Sequence, residues 1–130
     1  EDPAHPSTAG IEPRWLRTDE WYNFRTNPRG DVHVLASLDE TTYAPGSGAM
    51  GNEHPIAWCQ DYDGGRSWYT GMGHTEASFV EPKFLQHVLA WETGPVRWNA
   101  EFVWALLFSS VLAQPLASAR RGFFHVVRWS

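Results

Sequence analysis

Gly73-His74-Thr75-Glu76 is the stretch of this chain whose residue types best suit chemistry. An imidazole exchanges a proton near neutral pH, and a carboxylate two residues on can orient its ring. The stretch follows a strand-like run and precedes a helix-like one, the place where α/β folds put functional groups. The same pattern also suits a histidine that bonds a backbone carbonyl and only shapes the turn. Asp19-Glu20 beside Trp21-Tyr22 has two readings as well. Carboxylates that accept hydroxyl hydrogen bonds, next to rings that stack on a sugar face, would make a ligand-contacting edge with Asp19, Glu20 and Trp21. Ordinary surface charges beside core aromatics would look the same. His54, just before a proline, is a further ligand-contacting candidate. No His-x-x-x-His pair joins it to His33 or His74 as a metal site.

Other groups carry less. Asp61 and Asp63 beside Gly64-Gly65 lack the sixth-position glycine and twelfth-position glutamate of a calcium loop, so they read as solvated turn carboxylates. Cys59 is the single cysteine and falls inside an apolar strand-like run, where an inert buried thiol is expected. No Gly-x-Ser-x-Gly or Gly-x-Cys-x-Gly elbow is present.

The elements that must position these groups follow from pattern. Residues 1–13 (EDPAHPSTAGIEP) hold three prolines and read as an extended lead-in. Trp15-Leu16 and Trp21 to Phe24 bring apolar side chains among charges and read as short strands or turns against the core. Asn27-Pro28-Arg29-Gly30 is a turn signal that leads into a strand over residues 32–38 (VHVLASL). Alternation puts Val32, Val34, Ala36 and Leu38 on one face and His33, Leu35 and Ser37 on the other. Residues 39–53 form a loop rich in glycine. Residues 55–60 and 66–70 then pair as a hairpin across Asp61 to Gly65, where glycines supply positive φ. A helix begins near Pro82, with Glu81 as its cap or Ser78 in a competing capping box. Phe84, Leu85, Val88 and Leu89 form its apolar stripe, and Gly94-Pro95 stops it. Residues 102–113 are almost wholly apolar. At 12 residues the run falls short of the roughly twenty that span a bilayer, so it reads as a buried or interfacial helix. Residues 122–127 suit one more short strand.

Bulk properties bound the classes. The chain has 130 residues, 42% hydrophobic and 19% charged, which suits one folded domain with a modest core. Eight Trp, seven Phe and four Tyr point to an aromatic core or a sugar-stacking surface, with the core the commoner use. A net charge of −5, with Arg120-Arg121 the tightest basic cluster, argues against nucleic acid as a partner. One cysteine excludes an internal disulfide and a Cys-rich zinc site. Residues 1–13 contain no signal-peptide core, although a chain that does not begin with Met can have lost one.

Read together, these segments resemble a known family. Asp19 to Phe24, His33-Val34-Leu35-Ala36 and Leu38-Asp39-Glu40 look like the middle of ThuA-like (trehalose-utilisation) domains. His54 to Trp58, Asp63 to Thr70 and Gly73-His74-Thr75-Glu76 closely resemble the family's signature. Phe79, Pro82, Phe84 and Leu85 match the helix after it, and the early His5-Pro6 also fits. The match runs from residue 1 to about 90. It implies an α/β, flavodoxin-like three-layer fold of the class I glutamine amidotransferase-like superfamily. Relative to that fold the chain corresponds to the C-terminal two-thirds and lacks the N-terminal strands. It also implies a hairpin near 55–70 and a helix near 81–93. In that superfamily a His-x-Glu after a late strand completes a triad with an earlier Cys elbow, and His74 and Glu76 stand where that pair would be. ThuA-like proteins generally lack the elbow and none is present here, so glutaminase activity is not implied.

What the resemblance does imply is a bacterial domain in carbohydrate metabolism that binds or modifies a carbohydrate-like small molecule. His74 and Glu76 would be catalytic, and Asp19, Glu20, Trp21 and His54 would contact substrate. No particular cofactor follows. An accessory, non-catalytic domain of a sugar-oxidising multidomain protein is the alternative, and a fragment without independent function is a third. Relatives are often exported and accompany sugar dehydrogenase or carbohydrate-binding domains. The family pattern ends near residue 93, so residues 1–93 are expected to be the domain and residues 94–130 a divergent apolar tail. Missing central strands would leave apolar faces and unpaired edges, which residues 102–127 would have to cover.

Overall fold

The structure, a computed structural model, describes residues 1–93 and 125–128. It is α/β, with one α-helix against one sheet among the described residues. The strands are β1 (Arg14–Arg17), β2 (His33–Leu38), β3 (His54–Tyr62), β4 (Gly65–Thr70) and β5 (His125–Arg128), and the helix is α1 (Pro82–Thr93). The sheet order is β1-β5-β2-β3-β4 and each neighbouring pair is antiparallel. The parallel centre of a flavodoxin-like sheet is therefore not among the described strands. β5 overlaps the stretch expected as a last short strand, starting three residues later and ending one residue later. Its backbone lies between β1 and β2, pairing Trp15 with Val127 and Ser37 with Arg128. The apolar run 102–113 and the stop at Gly94-Pro95 lie outside the described residues.

The hairpin forms where the sequence places it. Asp63 (φ 49°) and Gly64 (φ 75°) both adopt positive φ, the two-residue turn whose twist matches antiparallel strands. Tyr62 then faces Gly65, and Trp58 faces Tyr69. β2 departs from simple alternation. Its pairing with β3 slips between Val34 and Ala36 and again between Ala36 and Ser37. A bulge of this kind turns successive residues inward, so Val34, Leu35, Ala36 and Leu38 are all buried. The two-faced strand expected from sequence is thus buried on both faces along most of its length.

Leu35, Ala36, Ile56 and Ala57 have no exposed surface, and Trp15, Leu38 and Phe84 retain 1–3%. Of these, Leu35, Leu38, Ile56 and Phe84 each contribute about 1.5–3 kcal/mol of hydrophobic stabilisation. The helix meets this core through Phe84, His87 and Val88, spaced at i, i+3 and i+4. Leu89, expected on the buried stripe, is 54% exposed, and the fully buried His87 takes the inward position. Glu81 precedes the helix, but its carboxylate turns away to bond Trp15 Nε1 at 2.7 Å and to approach Arg17 at 3.4 Å.

Residues 1–13 are not an extended lead-in. Thr8 N and Ala9 N both bond His5 O, and Ile11 N bonds Thr8 O, giving a run of turns. Ser7, Thr8 and Ile11 are buried within it. The Ser7 carbonyl is the acceptor that holds His87 Nδ1 at 2.9 Å, which is why this polar stretch packs inward.

Candidate functional site

The site grows from the end of β1. Arg17 and Asp19 are side chains that water barely reaches (2% and 0% exposed), and they pair at 2.7 Å. Burial pulls the Arg17 pKa down, and the charges of Asp19 and Glu81 oppose that pull. Asp19 has more to do than neutralise Arg17. It accepts the Gly73 N–H at 2.7 Å, the His74 N–H at 3.0 Å and the Glu20 N–H at 3.0 Å. One buried carboxylate thus clamps the loop after β4 to the loop after β1. Ser78 completes the clamp, accepting from Arg17 at 2.8 Å.

Gly73 sits at the tightest point of that loop, with φ 100°. A Cβ placed there would lie 2.5 Å from Phe84 Cζ. Gly73→Ala adds backbone strain to a clash with a core ring. We expect it to cost about 3 kcal/mol, read by chemical denaturation. A loss within 0.5 kcal/mol would mean that the loop has room the geometry does not show.

The clamp delivers His74 to the surface, with its side chain 46% exposed. Nε2 meets the Glu20 carboxylate at 2.8 Å and Nδ1 meets the Tyr22 hydroxyl at 3.2 Å. An ionised carboxylate only accepts, so Nε2 donates to Glu20, and in the neutral ring Nδ1 accepts from Tyr22. Partial burial, then the Glu20 charge and a hydrogen bond to Glu20, push the Tyr22 pKa up. Glu20, His74 and Tyr22 are all exposed. They form a polar cluster with an aromatic ring on open surface. A separate cleft of about 410 Å³, bordered by Arg14, Ser37, Asp39 and Glu40, includes none of the three.

Several expected residues take other places. Glu76 was expected to orient His74, but it opens the short 3-10 turn Glu76–Val80 and faces solvent. Glu20 occupies that role, because the 3-10 turn carries the Glu76 side chain onward along the chain while the Asp19 clamp draws Glu20 to the ring. Asp19 was expected to touch ligand, yet it is buried and its oxygens are taken by Arg17 and three backbone N–H groups. His54 was also expected to touch ligand. It has no exposed surface, and its nitrogens face Glu40 at 2.7 Å and the Tyr22 carbonyl at 2.9 Å. Trp21 is half-buried and packs against the core.

The sequence places Tyr22 in the candidate sugar-stacking edge beside Trp21 but does not mark it as a partner of His74. Its signal was available: side chains two apart in an extended run share a side, so Glu20 and Tyr22 can both reach one imidazole. Arg17, Glu40 and His87 were missed as well. No local motif marks them, because each is defined by partners far along the chain.

A model of the ThuA family, described as trehalose utilisation, matches residues 1–93, which hold every residue of the clamp and the cluster. No match was found among curated proteins or among solved structures. A match over 93 of the 130 residues covers more than half of the chain, and the chain belongs to the ThuA (trehalose utilisation) family.

Proposed function

We propose that this domain binds a carbohydrate or related polar small molecule in sugar metabolism, at the surface formed by Glu20, His74 and Tyr22. One observation carries the reading: an exposed imidazole, held by its backbone from below, carries a carboxylate at 2.8 Å and a phenol at 3.2 Å. Such a set offers hydroxyl groups both acceptors and donors, and the Tyr22 ring gives a sugar face an apolar surface. Among the described residues no Lys or Arg forms an ion pair with Glu20, so an uncharged polyol suits the cluster better than a phosphate. Glu76 stands on the same exposed loop as a further acceptor at the rim. In the catalytic form of the reading, His74 moves the proton and Glu20 steadies the imidazolium that results. In the fold that goes with it, the described sheet and helix are part of a flavodoxin-like domain.

A non-catalytic accessory role is favoured by one specific feature. The cluster lies on open surface, where water weakens the electrostatics that proton-transfer catalysis depends on. His74→Ala separates the two, since a loss of turnover beyond the loss of binding indicates catalysis. For binding itself, trehalose and glucose titrated against the protein are the probes. His74→Ala and Glu20→Gln should each weaken binding at least about tenfold, the loss of one hydrogen bond to a charged group. Stability should stay within about 0.5 kcal/mol, because both side chains are exposed. Binding unchanged in both variants would remove this surface from consideration.

A further inference from the structure

Tyr22 is held at both ends. Its hydroxyl reaches His74 Nδ1 at 3.2 Å and its backbone carbonyl accepts from His54 Nε2 at 2.9 Å. His54 is fully enclosed, and its other nitrogen meets Glu40 at 2.7 Å and the Tyr43 hydroxyl at 3.2 Å. Glu40 in turn accepts the Met50 N–H at 2.8 Å and the Gly51 N–H at 2.7 Å. A carbonyl oxygen only accepts, so His54 Nε2 carries a proton and donates it to Tyr22. A buried, paired imidazole of this kind does not meet ligand. It is costly to strand and therefore rigid, and what it holds rigid is the main chain of Tyr22. Phe24, two residues on, packs its ring edge-on to His54 at 6.3 Å and to Trp58 at 5.2 Å, which pins the same segment from its other side.

We propose that Tyr22 is a functional member of the Glu20–His74 site and that the buried His54–Glu40 pair is the device that positions it. The proposal rests on the reading of that cluster as the site, but its test needs no ligand. The phenol fills the Nδ1 side of His74, so a ligand reaching that side meets the Tyr22 hydroxyl first. His54 and Glu40 act through Tyr22 and are positioning residues. A merely structural role would have them support β3 and the 39–53 loop with no effect on the ring of His74.

The readout is the ring ¹⁵N NMR spectrum of His74 in the ligand-free full chain, above the titration range of histidine. Tyr22→Phe should move the Nδ1 resonance toward that of an acceptor with no donor. Glu40→Gln should move it the same way, and the double variant should move it no further, because one hydrogen bond is being lost by either route. Asp61→Asn, at the exposed end of the hairpin, should leave it in place. An unmoved resonance in Tyr22→Phe would overturn the membership of Tyr22. Movement in Tyr22→Phe but not in Glu40→Gln would overturn the positioning role. If Glu40→Gln fails to fold, the coupling across the His54 Nε2–H···O=C Tyr22 bond in the unaltered protein decides, and its absence refutes the device. If all of these hold while trehalose and glucose still do not bind, the positioning stands and the ligand reading falls.

Discussion

Asp19→Ala should cost about 3–5 kcal/mol of folding stability, the scale for breaking a buried ion pair by removing one partner. Arg17 would keep its charge at 2% exposure with, among the described residues, only Glu81, at 3.4 Å, left to balance it. The Gly73, His74 and Glu20 N–H groups would lose their acceptor in the same step. The second loss matters for the surface cluster, because those bonds bring His74 and Glu20 together. Asp19→Asn should be milder in stability, since an amide oxygen still accepts, but it too leaves Arg17 short of a counter-charge. Denaturation in urea, with the backbone amide signals of Gly73 and His74 followed in parallel, measures both effects. A loss below 1 kcal/mol with those amides unmoved would show that the clamp is not what holds the loop.

Acid should weaken this protein through His87. The ring is fully buried between Trp15 and Trp68, at centroid distances of 6.1 and 5.0 Å, and it bonds the Ser7 carbonyl and the Thr70 hydroxyl. Burial first, and then the charges of Arg17 and His5, push its pKa down to about 4, against the Ser7 carbonyl, which favours the charged form. The unfolded chain titrates near the ordinary histidine value of 6.5. The folded value is the lower one, so the unfolded state takes up the proton first as pH falls. His87 therefore leaves stability untouched above pH 6.5 and removes it progressively from there down to about pH 4. A shift of this size corresponds to about 3 kcal/mol across that window. Glu40 adds to the loss at the acid end. Burial raises its pKa, but the Met50, Gly51 and His54 hydrogen bonds outweigh that and hold it below the usual carboxylate range. His87→Gln should lower stability at pH 7 while flattening the slope between pH 6.5 and 4. An equal slope in both proteins, measured by urea denaturation at several pH values, would assign the acid sensitivity to other groups.

Which parts were legible depended on how local their causes are. The hairpin was readable because Asp63-Gly64 sets its own backbone geometry and the flanking residues have strand character. The start of α1 was readable because Pro82 suits a first helical turn and expels the residue before it from helix. Partner choice was less legible. His74-Thr75-Glu76 offers a carboxylate two residues away, and the structure uses Glu20 instead, 54 positions earlier in the chain. The buried face of α1 was misjudged at Leu89, since hydrophobicity alone ranks leucine inward. His87 wins because Ser7 and Thr70 satisfy both its nitrogens.

From the sequence alone came the family, the hairpin and the helix, all of which follow from residue types and spacings within a few positions. Only the tertiary structure decided that Asp19 and His54 are buried supports, that Glu20 and Tyr22 flank the imidazole, and that β2 is buried on both faces. A polar side chain reads the same in a sequence whether it meets water or a partner. The outcome turns on whether distant backbone and side-chain groups can satisfy its hydrogen bonds when water is excluded, and that is settled only when the strands and loops are brought together.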